Sequence, residues 1–334
     1  MKLLRYICLS ISVCFCLSTH AQDPHFSQYY ASPLSVNPAN TGFFDGDARI
    51  AVNERQQWWN VGYNYNTTSV SADVKMFKDQ LPEFDTFAAG ISGIFEKSLN
   101  GALQSNFISV STAYHKNLGY EGSHRLGMGV QINYTNKYLD YTKLTFASQY
   151  NGRFFDPTVP VDLDYSGLQS KYFDINAGLI YAFHSDRANL YAGASLYHIN
   201  KPNETLFDVA GSTLPMRQTL HAGGDVTLSE FSSILFSGYY MKQGTANDSI
   251  YGGAYCLKTN NRDNIILNLY FGMWYRDNYS VIPYIGADYQ DFSLGMNYGL
   301  SSGNNLAFSP NTFEVSLIYR FKANTILSSL CPKF

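Results

Sequence analysis

Along most of its length this chain alternates apolar and polar residues in runs of about ten, a period of two that suits a β-strand with unlike faces and no helix. The clearest run is Thr312 to Phe321. Phe313, Val315, Leu317, Tyr319 and Phe321 make one face, and Thr312, Glu314, Ser316 and Arg320 the other, with Ile318 the exception. Leu126, Met128, Val130, Ile132 and Tyr134 likewise alternate with Arg125, Gly127, Gly129, Gln131 and Asn133. Phe173, Ile175, Ala177 and Leu179 alternate with Asp174, Asn176 and Gly178. Lipid offers no partner to a charge, so a strand that faces lipid on one side turns its charges to the other. This assigns Phe313, Val315, Leu317, Tyr319 and Phe321 to the membrane-facing side. Inward glycine fits strands that pack around a narrow lumen.

Strand-like runs fall near 47–54, 61–77, 86–97, 102–117, 124–138, 172–184, 188–199, 216–229, 231–243, 249–258, 263–277, 279–290, 291–301 and 312–321. The even count suits an all-β, transmembrane antiparallel up-and-down barrel of roughly 14 strands. With both termini in the periplasm, the tight connections near 184–188, 229–231, 259–262 and 290–291 are periplasmic. The long ones, 139–171, 200–215 and 302–311, all fall outside. A soluble sandwich has no reason to sort its loops this way, and no fixed-length repeat supports a propeller.

Composition agrees with this reading. Aromatics make up 16% of the chain, yet its mean hydropathy is only −0.18, as expected when alternate residues alone face lipid. A net charge of −3 argues against a nucleic-acid partner.

Met1, Lys2 and Arg5, an apolar run from Tyr6 to Leu17, and Ser18 to Ala21 have the layout of a signal peptide cut after Ala21. The layout expected is a signal peptide over 1–21, an N-terminal periplasmic plug or docking segment over 22–46, an outer-membrane barrel over 47–321 and a C-terminal periplasmic tail over 322–334. Export would remove Cys8, Cys14 and Cys16 and leave Cys256 and Cys331, which sit in a strand and a tail and make an unconvincing disulfide pair.

Pro24, Pro33 and Pro38 prevent Asp23 to Gly42 from being an ordinary strand, while Phe26, Tyr29, Tyr30 and Leu34 make it too apolar for a solvated tail. The segment packs into or under the barrel mouth as a plug, docks a periplasmic partner, or does both. Its candidate interaction residues are Asp23, Pro24, Phe26, Ser27, Gln28, Tyr29, Pro33, Asn37 and Pro38. In the long connection 139–171, Phe154 and Phe155 are the candidates for contact with a secreted partner. Trp58, Trp59, Tyr63 and Tyr65 suit an interfacial aromatic girdle. His115, His184, His198 and His221 are scattered over separate strands without metal-ligand spacing, and no Gly-x-Ser-x-Gly elbow or phosphate loop occurs. No cofactor and no small-molecule substrate is expected.

The first residues after the signal, Gln22-Asp23-Pro24-His25-Phe26-Ser27-Gln28-Tyr29-Tyr30-Ala31-Ser32-Pro33-Leu34-Ser35-Val36-Asn37-Pro38-Ala39-Asn40-Thr41-Gly42, resemble the opening of the PorP/SprF family. The resemblance continues through Arg49 to Trp58, Tyr191 to Ser195 with His198 and Pro202, Leu214-Pro215, Leu220 to Gly223, Phe313 to Phe321, and the terminal Cys331 to Phe334. It departs at Glu54-Arg55-Gln56-Gln57-Trp58, where the family has Tyr-Arg-Asn-Gln-Trp, and at Asn40-Thr41, where the family has a hydrophobic residue and Ala. What the resemblance implies is a non-enzymatic outer-membrane component of type IX secretion and gliding machinery. Its partners would be periplasmic ring lipoproteins or a secreted surface adhesin. A porin-like channel for hydrophobic or small solutes, or a membrane-embedded hydrolase, are the competing functions.

Overall fold

The computed structural model describes residues 23–58, 64–119, 122–156, 158–159, 168–206, 212–260, 266–277, 280–301 and 311–322. The expected signal peptide, Trp59, Tyr63 and Cys331 lie outside the described residues, as do the connection expected near 259–262, beyond Asn260, and the C-terminal tail beyond Lys322.

Fourteen strands close into one antiparallel barrel. They are β1 (Ala48–Gln57), β2 (Tyr65–Met76), β3 (Thr86–Ser98), β4 (Leu103–Asn117), β5 (His124–Leu139), β6 (Gln169–His184) and β7 (Ala188–Tyr197), followed by β8 (Arg217–Ser229), β9 (Ser232–Gln243), β10 (Ala246–Asn260), β11 (Ile266–Arg276), β12 (Ser280–Tyr289), β13 (Phe292–Ser301) and β14 (Thr312–Phe321). Each pairs with its neighbours in sequence, and β1 pairs with β14 from Ala48 opposite Phe321 to Gln57 opposite Thr312. Closure matters because the bilayer has no water to satisfy a free strand edge. The strands run from 10 to 16 residues, while about 9–11 tilted residues cross the hydrocarbon. The longest, β5 and β6, therefore extend past it.

Side chains alternate as the sequence requires. On β5, Met128, Val130 and Ile132 are exposed on the outer wall, while Arg125, Gln131 and Asn133 are buried inside. Phe313, Val315, Leu317, Tyr319 and Phe321 lie on the outer face of β14, between the buried Thr312, Glu314, Ser316, Ile318 and Arg320. The three longest connections, 140–168, 198–216 and 302–311, all leave the same end, called the loop end below. The opposite, turn end has tight connections at 185–187, 230–231 and 290–291 but also longer ones at 77–85 and 118–123, so the sorting is by longest loop only.

One half of the interior departs from the simple oily-outside, polar-inside pattern. Tyr239, Met241, Ile250, Ala254, Trp274 and Ile282 point inward from β9 to β12 and form a buried apolar cluster with Tyr29. Ile318 makes a smaller one with Ala31 and Ala51. The exception in the sequence of β14 is thus a packing position against the N-terminal segment.

Candidate functional site

The lumen is filled by the chain's own N-terminal segment. Residues 23–47 cross it from the loop end to the turn end, as three short helical turns rather than a strand. Pro33 and Pro38 each begin one of these turns, where a missing N–H costs nothing and the fixed φ is already helical. The Asn37 side chain accepts from Ala39 N–H at 2.8 Å and caps the last turn.

At the loop end, Asp23 donates its backbone N–H to Gln243 Oε1 at 3.0 Å, on the last residue of β9. Its carboxylate lies 3.0 Å from Arg217 Nη1, at the start of β8, and 2.6 Å from His198 Nε2, just past β7. His198 Nδ1 faces Asp174 at 3.3 Å, and the Arg217 guanidinium sits 3.8 Å above the Tyr197 ring. Burial alone would raise the Asp23 pKa, but His198 and Arg217 hold it well below the usual carboxylate range. Burial would lower His198, yet Asp23 and Asp174 lift it to about 9.

Further down, Glu314, fully buried on β14, accepts the N–H groups of Ser27 at 2.7 Å and Gln28 at 2.8 Å with its two oxygens. Tyr197 Oη and Gln131 Nε2 both donate to Leu34 O, at 3.0 and 3.1 Å. Arg217 Nη2 donates to Ser35 O at 2.9 Å and Ser195 Oγ to Val36 O at 2.7 Å. Asn37 Nδ2 donates to Leu179 O at 2.9 Å and lies 3.0 Å from His221 Nε2. Close to the turn end, His115 Nε2 is 2.9 Å from Thr41 O, and Asp73 accepts Gly42 N–H at 2.8 Å while paired with Arg49. Lys75 Nζ donates to Phe44 O at 2.6 Å.

Two inward glycines make room for this path. A Cβ at Gly129 would stand 2.4 Å from the Pro38 carbonyl carbon, and one at Gly178 would stand 1.9 Å from Asn37 Oδ1. Small cavities of about 40 Å³ each remain around the segment.

Of the residues singled out in the sequence, Asp23, Phe26, Ser27, Gln28, Tyr29, Pro33, Asn37 and Pro38 are buried together in the lumen, with Pro24 half-buried. Asp23 sits among the strand ends that carry the long loops, and the side chains offered for docking are turned into the wall. Sequence reasoning missed Glu314, Arg217, Tyr197 and Gln131 as contacts, and found in His115, His198 and His221 only an absence of metal-ligand spacing. Among the described residues no cluster of His, Cys, Asp and Glu could hold a metal, and Cys256 is free and buried.

Phe154 and Phe155 stand apart, at the loop end. With Tyr150 they form a small hairpin in which Tyr150 bridges Phe155, their rings 5.2 Å apart. Asn151 Oδ1 accepts from Arg153 N–H and Phe154 N–H, at 3.0 and 3.1 Å. The turn presents Tyr150, Phe154 and Phe155 with 50, 59 and 50% of their surface exposed. Trp58 is also exposed at this end, with its ring 5.9 Å from that of Tyr65.

Among solved structures, the chain is similar to the toluene transporter TbuX of Ralstonia pickettii, at 10% identity over 85% of this chain and 92% of that one, TM-score 0.48. It is similar to the toluene transporter TodX of Pseudomonas putida, at 11% over 86% and 92%, TM-score 0.45. A FadL homologue of Pseudomonas aeruginosa matches at 11% over 85% and 93%, TM-score 0.49. At such identities no transported solute carries over to this chain. No curated protein matches it. Residues 18–319 match the family described as type IX secretion system membrane protein PorP/SprF. The closed barrel with its lipid-facing outer wall, and this match over nearly the whole barrel, make the chain an outer-membrane member of the PorP/SprF family of type IX secretion.

Proposed function

We propose that the protein is a non-enzymatic anchor of type IX secretion, which holds a secreted adhesin at the cell surface through its loop end. The observation that carries this reading is the filled lumen. Residues 23–47 thread along the interior and leave cavities of about 40 Å³ around them, so the barrel is occupied by its own chain. Its means of acting are then its position in the membrane and its end surfaces. The loop end offers Tyr150, Phe154 and Phe155 on a preorganised hairpin, and exposed aromatics on a rigid support make good anchors for a protein partner. A contact with periplasmic ring lipoproteins would fall on the turn end, where the connection 77–85 carries the exposed Phe77. In this reading residues 1–21 are removed on export and 22–46 act as a plug rather than as a periplasmic dock.

Deleting the gene should abolish surface display of one secreted partner while leaving outer-membrane permeability little changed. Restoring it with Phe154→Ser and Phe155→Ser should return the barrel to the membrane but not the display. Normal display in the deletion strain would refute the anchor. Porin-like conductance of the purified protein in planar bilayers would favour the channel instead.

A further inference from the structure

The wall addresses the N-terminal segment mainly through its main chain. Glu314 takes two successive N–H groups, and Tyr197, Gln131, Arg217, Ser195 and His115 reach carbonyls of Leu34, Ser35, Val36 and Thr41. Such contacts hold the backbone of a bound segment, as in other main-chain modes of peptide binding. Side chains are held too, those of Gln28, Asn37 and Thr41 by hydrogen bonds, but Asp23 carries the one carboxylate of residues 23–44. The Asp23 carboxylate fills a buried cationic niche made by Arg217 and His198, the guanidinium braced on Tyr197.

The chemistry of this end differs from that of a permanent core element. Buried ion pairs return little net stability compared with apolar packing of similar volume, because both charges must be stripped of water. The apolar anchorage of the segment lies deeper, where Tyr29 meets the β9–β12 cluster. Beside Asp23 there is a cavity of about 40 Å³ lined by Asn133, Asp174, His198 and Arg217. Leu34, Ile94 and Phe107 also line it, and a space of that size with several polar groups admits water beside the carboxylate.

We infer that the lumen is a peptide-binding site held in cis by residues 23–44, and that an acidic peptide entering from the loop end competes with Asp23 for the Arg217–His198 niche and displaces the segment. The occupant is a stretch of a second protein with a carboxylate side chain placed as Asp23 is. This rests on the reading that the secreted partner is met at the loop end, and it supplies the chemistry of the part that would enter.

The test uses the full mature protein purified from outer membranes, with Cys256→Ser and Cys331→Ser and a reporter at Ser27→Cys, a position buried beneath Glu314. The rate of labelling by a bulky polar maleimide reads release of the segment. The probe is a synthetic peptide of residues 23–42 in excess, beside the same peptide with Asn in place of Asp23, and sodium acetate at equal concentration. Labelling should rise tenfold or more with the acidic peptide and stay near baseline with the other two. Asp23→Asn and Arg217→Gln in the protein should each raise it without any peptide, with the folded barrel verified by heat-modifiable migration on a gel. The peptide arm keeps Asp23 and Arg217 intact, so it decides the matter even if those variants do not fold. Unchanged labelling with the acidic peptide overturns the proposal, as does acceleration by acetate or by the Asn peptide to the same extent. The assay contains no secretion partner. A negative result here therefore leaves the display phenotype standing, and loss of that phenotype does not touch the result here.

Discussion

On β5, Met128, Val130 and Ile132 are exposed on the outer face, while the residues one step away are fitted to particular atoms inside. Gln131 bonds the Leu34 carbonyl, Asn133 donates to Asp174 at 2.8 Å, and Gly129 leaves the space taken by Pro38. The same strand thus obeys two rules at once. Its outer face needs only to be oily, because acyl chains are interchangeable. Its inner face must complement one peptide, because buried polar groups without partners are costly. Substitutions should be tolerated outside by class and inside only by shape and hydrogen bonding.

The sharpest break of that contrast is Glu314→Ala, which strips Ser27 and Gln28 of their acceptor and Arg55, whose Nε lies 3.6 Å from the carboxylate, of its counter-charge. Removing one partner of a buried pair costs roughly 3–5 kcal/mol, measurable by urea unfolding in lipid vesicles. Val315→Leu, next along and outward, should stay within about 0.5 kcal/mol. An equal cost for the two would erase the distinction between the faces. Next comes Leu317→Arg at the middle of β14, expected to cost about 2–4 kcal/mol because a cation is placed against the bilayer midplane. A neutral result would mean that this face does not meet hydrocarbon. Gly129→Val should cost about 1–3 kcal/mol by overfilling the space against Pro38, and the same experiment reads it. If it costs nothing, the segment does not lie against β5.

The smallest expected effect is a pH dependence. The folded pKa of His198 is raised to about 9, above its ordinary value near 6.5, so its contribution is complete below about pH 6.5 and is lost as pH rises through about 9. Asp23 has a lowered pKa, so its own contribution is lost only in acid. Protection of a Ser27→Cys reporter should therefore weaken between about pH 7 and 10. With His198→Gln that slope should flatten, leaving only the rise in thiol reactivity shared with an exposed cysteine control. Equal slopes in both proteins would remove His198 from the latch.

The barrel was legible because a membrane imposes its rule residue by residue. Phe313 to Phe321 face out every second position whatever the rest of the chain does, and the fourteen expected runs overlap the fourteen strands. The prolines at 24, 33 and 38 showed equally locally that the opening segment could not be a strand. Its route was not legible. Ser27 and Gln28 meet Glu314 286 to 287 residues away, and Asp23 meets Arg217 on β8 and His198 just past β7, neither with a local mark of the pairing. A glycine at 129 or 178 reads as curvature or a thin wall until Pro38 and Asn37 are seen against it.

Sequence by itself determined the strand period, the lipid-facing side chains, the segment that could not join the sheet, and the resemblance to the family. Only the tertiary structure decided that the segment fills the lumen, with Asp23 toward the long loops, and which wall groups hold it. The reason is physical. Facing lipid is a property of single residues and is written in their order along the chain. Complementarity between a folded wall and a peptide inside it is a property of pairs, and exists only once closure has brought distant residues together.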